Sequence, residues 1–194
     1  MQDPISNFKG IFQRKNYIFS EDLNIIGIRN KNVGNVVTNK FDDILVLLYK
    51  DSLGKWIYKE YAITTDPGLY YVINELLSPK GAGIMKEGQY VDTFAIDYHQ
   101  GKYLALCQRW KPIRVYRDRN KNNVFEFENE ESGMFGGNIH CAGPDSILVD
   151  KWSAMCQVFK RKKDFEEFMS IISRFRIPFN NKFTYTLINT LDLN

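Results

Sequence analysis

Two histidines, His99 and His140, and three cysteines, Cys107, Cys141 and Cys156, are the residues of this 194-residue chain suited to nucleophilic chemistry. Cysteine catalysis needs a thiolate, a base close enough to take its proton, and a group that orients the base. The segment Gly136-Gly137-Asn138-Ile139-His140 reads as a strand with an imidazole at its tip. Sixteen residues after His140 comes Cys156, closing Ser153-Ala154-Met155-Cys156. The intervening Cys141-Ala142-Gly143-Pro144-Asp145-Ser146 is loop-like, so the chain can return and set Cys156 beside His140. Cys107, within Leu104-Ala105-Leu106, reads as core, because free cysteine is among the most buried residue types. Cys141 reads either as structural or as a second thiol next to the base.

Other polar residues fit less specific roles. Tyr98 and His99, in Asp97-Tyr98-His99-Gln100-Gly101, lie at an expected hairpin end, either as exposed turn residues or as substrate contacts at the rim of a cleft. Arg117 ends a strand before a polar loop. It could hold a substrate carboxylate bidentately or serve a local ion pair. The loop from Asp118 has Asp, Asn and Asn at positions one, three and five of a calcium pattern. It lacks the glycine at six and has Asn129 where a glutamate belongs. No Cys/His spacing suits zinc, and the glycines at 81–83 and 133–137 form no phosphate loop. No cofactor is expected.

These residues must be positioned by a fold, and composition narrows which one. Hydrophobic residues make up 44% and aromatic residues 14%, favouring a packed, sheet-rich domain over disorder. The longest apolar run, Ile44 to Tyr49, is far short of the roughly 20 residues that span a bilayer. Net charge is only +3, so no basic footprint points to nucleic acid. Lys160-Arg161-Lys162-Lys163 is followed by Asp164, Glu166 and Glu167, as at a solvated helix start. Three irregularly spaced cysteines are no disulfide framework. Met1 to Ile5 shows neither a basic nor an apolar signal region, so synthesis in a reducing cytoplasm is expected. The oligomeric state is not written in the sequence.

Residues 1–40 read as a polar, irregular lead-in, and 41–194 as the domain. Ile44–Tyr49 and Lys55–Ile63 flank Asp51-Ser52-Leu53-Gly54 as a β-hairpin, closed by the turn Thr64-Thr65-Asp66-Pro67-Gly68. Further strands are expected at Gly81–Met85, Tyr90–Tyr98, Tyr103–Arg109, Ile113–Arg117, Met134–His140 and Phe183–Ile188. A helix is expected at Lys163–Phe175, where Phe165, Phe168, Met169, Ile171, Ile172 and Phe175 share one face. The fold class is therefore mostly β, with one or two helices.

The constellation resembles the catalytic motif of the murein L,D-transpeptidases: Ile-His at a strand end, a loop, then Ser-His-Gly-Cys. His140, Ser153 and Cys156 match the family's offsets, and Thr65 to Gly68 is similar to its Thr-Pro-x-Gly turn without the first proline. Ala154, Met155 and Val158 stand where the family has His, Gly and Arg. The match covers Gly136 to Val158, and elsewhere only the strand-rich character. The resemblance implies a β-sandwich or barrel, with Cys156 as nucleophile, His140 as base and Ser153 in the motif. It further implies that the Cys141 carbonyl orients the base, that the amides of Met155 and Cys156 hold the oxyanion, and that His99, Arg117 and Tyr98 contact substrate. Met155 in place of glycine is expected to narrow the pocket or alter the oxyanion geometry. The implied partner is a peptidoglycan stem peptide, attacked to give a thioester that an amine or water resolves. Without a visible signal, action at the cell wall fits a phage lysis or virion protein. Two other readings stay open: a non-catalytic wall-binding or virion structural module on the same fold, and a cysteine peptidase or amidase of another fold.

Overall fold

The computed structural model describes residues 3–74, 77–144, 146–177 and 180–194, so Met1, Gln2 and Asp145 of the segments read above lie outside the described residues. Helix α1 (Pro4–Arg14) begins at Asp3, whose carboxylate accepts from the amides of Ile5 (3.4 Å) and Ser6 (3.1 Å). Pro4 sits in the first turn, where a missing N–H costs nothing. Then come β1 (Leu23–Arg29) and the expected hairpin, β2 (Asp43–Lys50) and β3 (Trp56–Thr64). The chain continues through β4 (Ala82–Met85), β5 (Gly88–His99), β6 (Tyr103–Gln108), β7 (Ile113–Asp118), β8 (Glu131–Gly133), β9 (Ile139–Cys141) and β10 (Gln157–Phe159). Helix α2 (Lys162–Ser173) and β11 (Phe183–Asn189) complete it.

Eight strands close a barrel in the order β1–β11–β5–β6–β9–β10–β3–β2, and β4, β7 and β8 form a separate small sheet. The fold is mostly β, as expected. Most neighbours are antiparallel, but β1–β11 and β9–β10 run parallel. Closure removes the exposed strand edges that otherwise invite aggregation. Phe165, Phe168, Ile171 and Ile172 of α2 join the barrel core, with the Phe168 ring 5.0 Å from that of Phe159. Among the described residues, no helix is long and apolar enough to cross a membrane.

Within the segment 1–40 expected as an irregular lead-in, residues 4–29 build a helix and a barrel strand. β1 is a barrel strand between β2 and β11, and it is buried on both faces. Ile25 faces the barrel core, whereas Ile26 and Ile28 meet Phe8, Ile11 and Phe12 of α1 on the outside. Double burial erases the alternation that betrays a half-buried strand. Gly27 interrupts the run for a steric reason: a Cβ there would lie 1.8 Å from the Tyr185 hydroxyl. That hydroxyl donates to Gln157 Oε1 at 2.8 Å, linking β11 to the strand that follows Cys156.

A second departure lies at Met134–His140, which is not one strand. β8 ends at Gly133 and β9 starts at Ile139. Between them, the Gln108 side chain stands in for a strand partner. Its Oε1 accepts from the amides of Phe135 (3.0 Å), Gly136 (2.9 Å) and Gly137 (3.2 Å). Gly136 takes φ +73°, a conformation open to glycine.

The turn after β3 is anchored by Arg29, which is 1% exposed. Its guanidinium reaches Thr65 Oγ1 and O (both 3.1 Å), Met85 O (2.8 Å), Glu87 (2.9 Å) and Asp66 (2.8 Å). Asp43 completes the group by accepting from the Asn30 amide (2.7 Å) and from Thr65 N (2.6 Å) and Oγ1 (2.9 Å). Burial alone would weaken the charge of Arg29. Asp66, Glu87 and Asp43 more than reverse this, so its proton is held more tightly than usual. Burial and the charge of Asp66 push Asp43 up to about 7. Removing a buried charge partner strands the others, so Arg29→Ala is expected to cost about 3–5 kcal/mol in urea unfolding at neutral pH. Protonation of the stranded carboxyls should make the loss smaller near pH 4.5. An equal loss at both pH values would contradict this account.

Candidate active site

His140 and Cys156 are brought to one place by the parallel pair β9–β10. Val158 lies opposite His140 and Gln157 opposite Ile139. The Gln157 amide donates to the Asn138 carbonyl at 2.9 Å, so Cys156 enters the pairing level with Asn138. Strand alternation turns Ile139 and Phe159 into the barrel core, leaving His140 and Cys156 on the other face. Both line a cavity of about 320 Å³, together with His99, Lys102, Lys151 and Trp152. A neighbouring cavity of about 390 Å³, lined by Arg117, Phe135 and Gly136, shares His99, Gln100, Ala154 and Cys156 with it. Cys156 thus stands where two chambers meet.

The loop that delivers Cys156 is held from three sides. Gly68 donates its amide to the Ser153 carbonyl at 2.7 Å, and a Cβ on Gly68 would meet Asp150 O at 2.0 Å. Asn39, at φ 57°, accepts from the amides of Leu69 (3.0 Å) and Asp150 (2.8 Å) through Oδ1 and donates to Asp150 Oδ1 at 2.6 Å. The Ser153 hydroxyl donates to the Cys156 carbonyl at 2.8 Å. Ser153 is fully buried and lines neither chamber, so it shapes the turn and does not meet substrate.

Hydrogen bonding sets the proton positions of both imidazoles. His140 Nδ1 lies 3.1 Å from the Cys141 carbonyl, which can only accept, so Nδ1 carries the hydrogen and Nε2 the lone pair. The Tyr103 hydroxyl sits 3.5 Å from both Nδ1 and that carbonyl. Stacked on His140 is His99, with ring centroids 4.2 Å apart and planes inclined by 19°. Asn138 Oδ1 accepts the Gln108 amide at 2.9 Å, which turns its Nδ2 toward His99 Nδ1 at 3.0 Å. These contacts join residues 30 to 39 positions apart, and no local pattern announces them. The only sequence cue is that Asn138 and His140 share strand parity.

Burial dominates the electrostatics. It lowers His140 to about 4, helped by His99, against the Cys141 backbone bond. It pushes the Cys156 thiol up to about 11, although the Asn138 backbone amide works the other way. Burial, then Lys102 and Arg109, lowers His99 as well. At neutral pH the site therefore holds a thiol and two neutral imidazoles. The Cys156 thiol donates to the Gly136 carbonyl at 3.7 Å.

The remaining sequence candidates fall as follows. Met155 turns its side chain into the core, where Gly83 leaves room for it: a Cβ on Gly83 would lie 2.8 Å from its sulfur. The amides of Met155 and Cys156 meet no acceptor among the described residues. Arg117 borders the second chamber but is paired with Glu131 at 2.8 Å and lies over the Phe135 ring. Tyr98 is 56% exposed and borders neither chamber. Cys107 is fully buried, and Cys141 opens on a third cavity beside α2. Among the described residues, no group of three or more His, Cys, Asp or Glu is placed to hold a metal ion.

No protein-family model, no curated protein and no solved structure matches this chain.

The depressed histidine makes a stability prediction. A folded-state value near 4 against an ordinary 6.5 means that the unfolded chain binds this proton more readily. Stability from His140 is complete above about pH 6.5 and is lost as pH falls through 4, by about 3 kcal/mol in all. His140→Gln should flatten this part of the urea-unfolding profile between about pH 7 and 4. An unchanged slope in the variant would show that His140 is not its source.

Proposed function

We propose that the protein is a cysteine-dependent acyl-transfer or hydrolytic enzyme acting on peptidoglycan stem peptides through a thioester acyl-enzyme. The observation that carries this reading is that Cys156 and His140, a histidine whose Nδ1 is fixed by a backbone carbonyl, line the same cleft. In the mechanism, Cys156 Sγ attacks the acyl carbonyl and its proton passes to His140 Nε2. The free amides of Met155 and Cys156 offer donors for the oxyanion, each such donor being worth about 3 kcal/mol. The C–N bond then breaks, the amine leaves with the proton from His140, and an amine or water resolves the thioester. The cleft favours an anionic substrate. Lys102 and Lys151 line it, and no acidic side chain does so among the described residues. Stem peptides carry free carboxylates, which suits this field.

One observation favours the second reading, a non-catalytic wall-binding or virion structural module: at rest the thiol is raised and the imidazole lowered, so no reactive ion pair stands ready. Slow alkylation by iodoacetamide at neutral pH is thus expected on both readings and separates nothing. Acylation does separate them. Intact-mass analysis with a carbapenem should show a covalent adduct in the wild type, and none in Cys156→Ala or His140→Ala. Its rate should rise through an acid limb near pH 4, the value at which His140 becomes a base. No adduct in the wild type would leave the binding module as the better reading.

A further inference from the structure

We infer that His99 is a second catalytic imidazole, one that donates a hydrogen bond from Nε2–H to the substrate's developing oxyanion. The inference rests on the acyl-transfer reading above. It begins with a backbone amide that has no rotational choice. Gln108 N–H points at Asn138 Oδ1 at 2.9 Å, so Asn138 must present its Nδ2 hydrogens to His99 Nδ1, 3.0 Å away. An imidazole nitrogen that accepts cannot also carry hydrogen, so the neutral ring bears it on Nε2.

That Nε2 has no acceptor among the described residues, yet it is not sealed in: the one fully buried side-chain polar atom among them without a hydrogen bond is Asp66 Oδ1, which Arg29 faces in an ion pair. His99 borders both chambers beside Cys156, so the open nitrogen belongs to the cleft. A donor positioned there and left unsatisfied is waiting for an acceptor that arrives with the substrate.

The two rings divide the work by their opposite tautomers. His140 keeps hydrogen on Nδ1 and offers a lone pair, and His99 does the reverse. When Sγ bonds to the acyl carbon, the carbonyl π pair moves onto oxygen, and His99 Nε2–H donates to it without giving up the proton. The proton from the thiol goes to His140. A neutral imidazole is the better partner for that ring, because a second imidazolium stacked at 4.2 Å would oppose protonation of the base. Burial and the charges of Lys102 and Arg109 keep His99 neutral. Neutral imidazole is a known electrophilic donor where its site keeps it uncharged.

Two measurements on the full chain test this. Nitrogen-detected NMR of the resting protein at neutral pH should find His99 as the Nε2–H tautomer. A proton on Nδ1 would overturn the inference whatever the activity. His99→Phe keeps an aromatic ring over His140 and removes the donor. It should slow carbapenem acylation of Cys156 about 100-fold, and His99→Gln, which keeps an N–H, should recover part of the loss. Wild-type acylation with His99→Phe within about threefold of it would overturn the role of His99 while leaving the enzyme in place. No acylation of the wild type would overturn the enzymatic reading, and this inference with it.

Discussion

Arg29 is the tie on which the active-site loop depends. A lone guanidinium taken out of water costs several kcal/mol, so it persists only where partners surround it. Here they come from two distant parts of the chain: Thr65 and Asp66 in the turn after β3, and Met85 and Glu87 at and just beyond the end of β4. The same interaction therefore joins the barrel to the small sheet and fixes the Thr64–Gly68 turn. Gly68 in turn grips the Ser153 carbonyl, and Ser153 grips that of Cys156. Position is thus handed from a buried charge to the candidate nucleophile through backbone contacts with little slack. The close approach of Gly68 to Asp150 shows how tight the fit is.

At the end of that chain lies a site whose titratable groups are held neutral by burial. An imidazole that gains a proton only below about 4 and a thiol that loses one only above about 11 coexist as neutral groups. An ion pair formed in advance would be expensive in this environment. On the proposed acyl-transfer reading, the proton instead moves as the C–S bond forms, when negative charge passes to an oxygen that hydrogen-bond donors can meet. A thiol raised in this way is slow to form the reactive thiolate at neutral pH.

Much of this was legible in the chain, for reasons that can be traced. The β2–β3 hairpin, α2 and β11 declare themselves through apolar periodicity within a dozen residues. The His140–Cys156 offset is a local number as well. β1 was not legible, since its outer face is covered by α1 and its pattern shows neither a clean period of two nor a flanking strand nearby. The break at residues 134–138 was hidden because a side chain from β6 satisfies the amides that a strand would have satisfied. Arg29 reads as an ordinary strand-end arginine until Thr65 and Glu87, 36 and 58 residues away, are brought against it. Long-range polar pairing leaves no periodic trace, and the tautomers of both histidines rest on pairing of that kind.

Met155 shows how a local conflict is resolved at a distance. Next to the proposed nucleophile, a side chain where the resemblance has glycine threatens to fill the space that a substrate would need. The conflict is removed by a glycine elsewhere. Gly83 on β4 provides the volume, and the Met155 sulfur lies where a Cβ on that residue would crowd it. Methionine suits this position because an unbranched, flexible side chain can follow an irregular gap. A β-branched residue would have its bulk fixed beside the backbone at the edge of the cleft. The room that a glycine at 155 would have left is supplied by Gly83 instead, and the amides of Met155 and Cys156 meet no acceptor among the described residues.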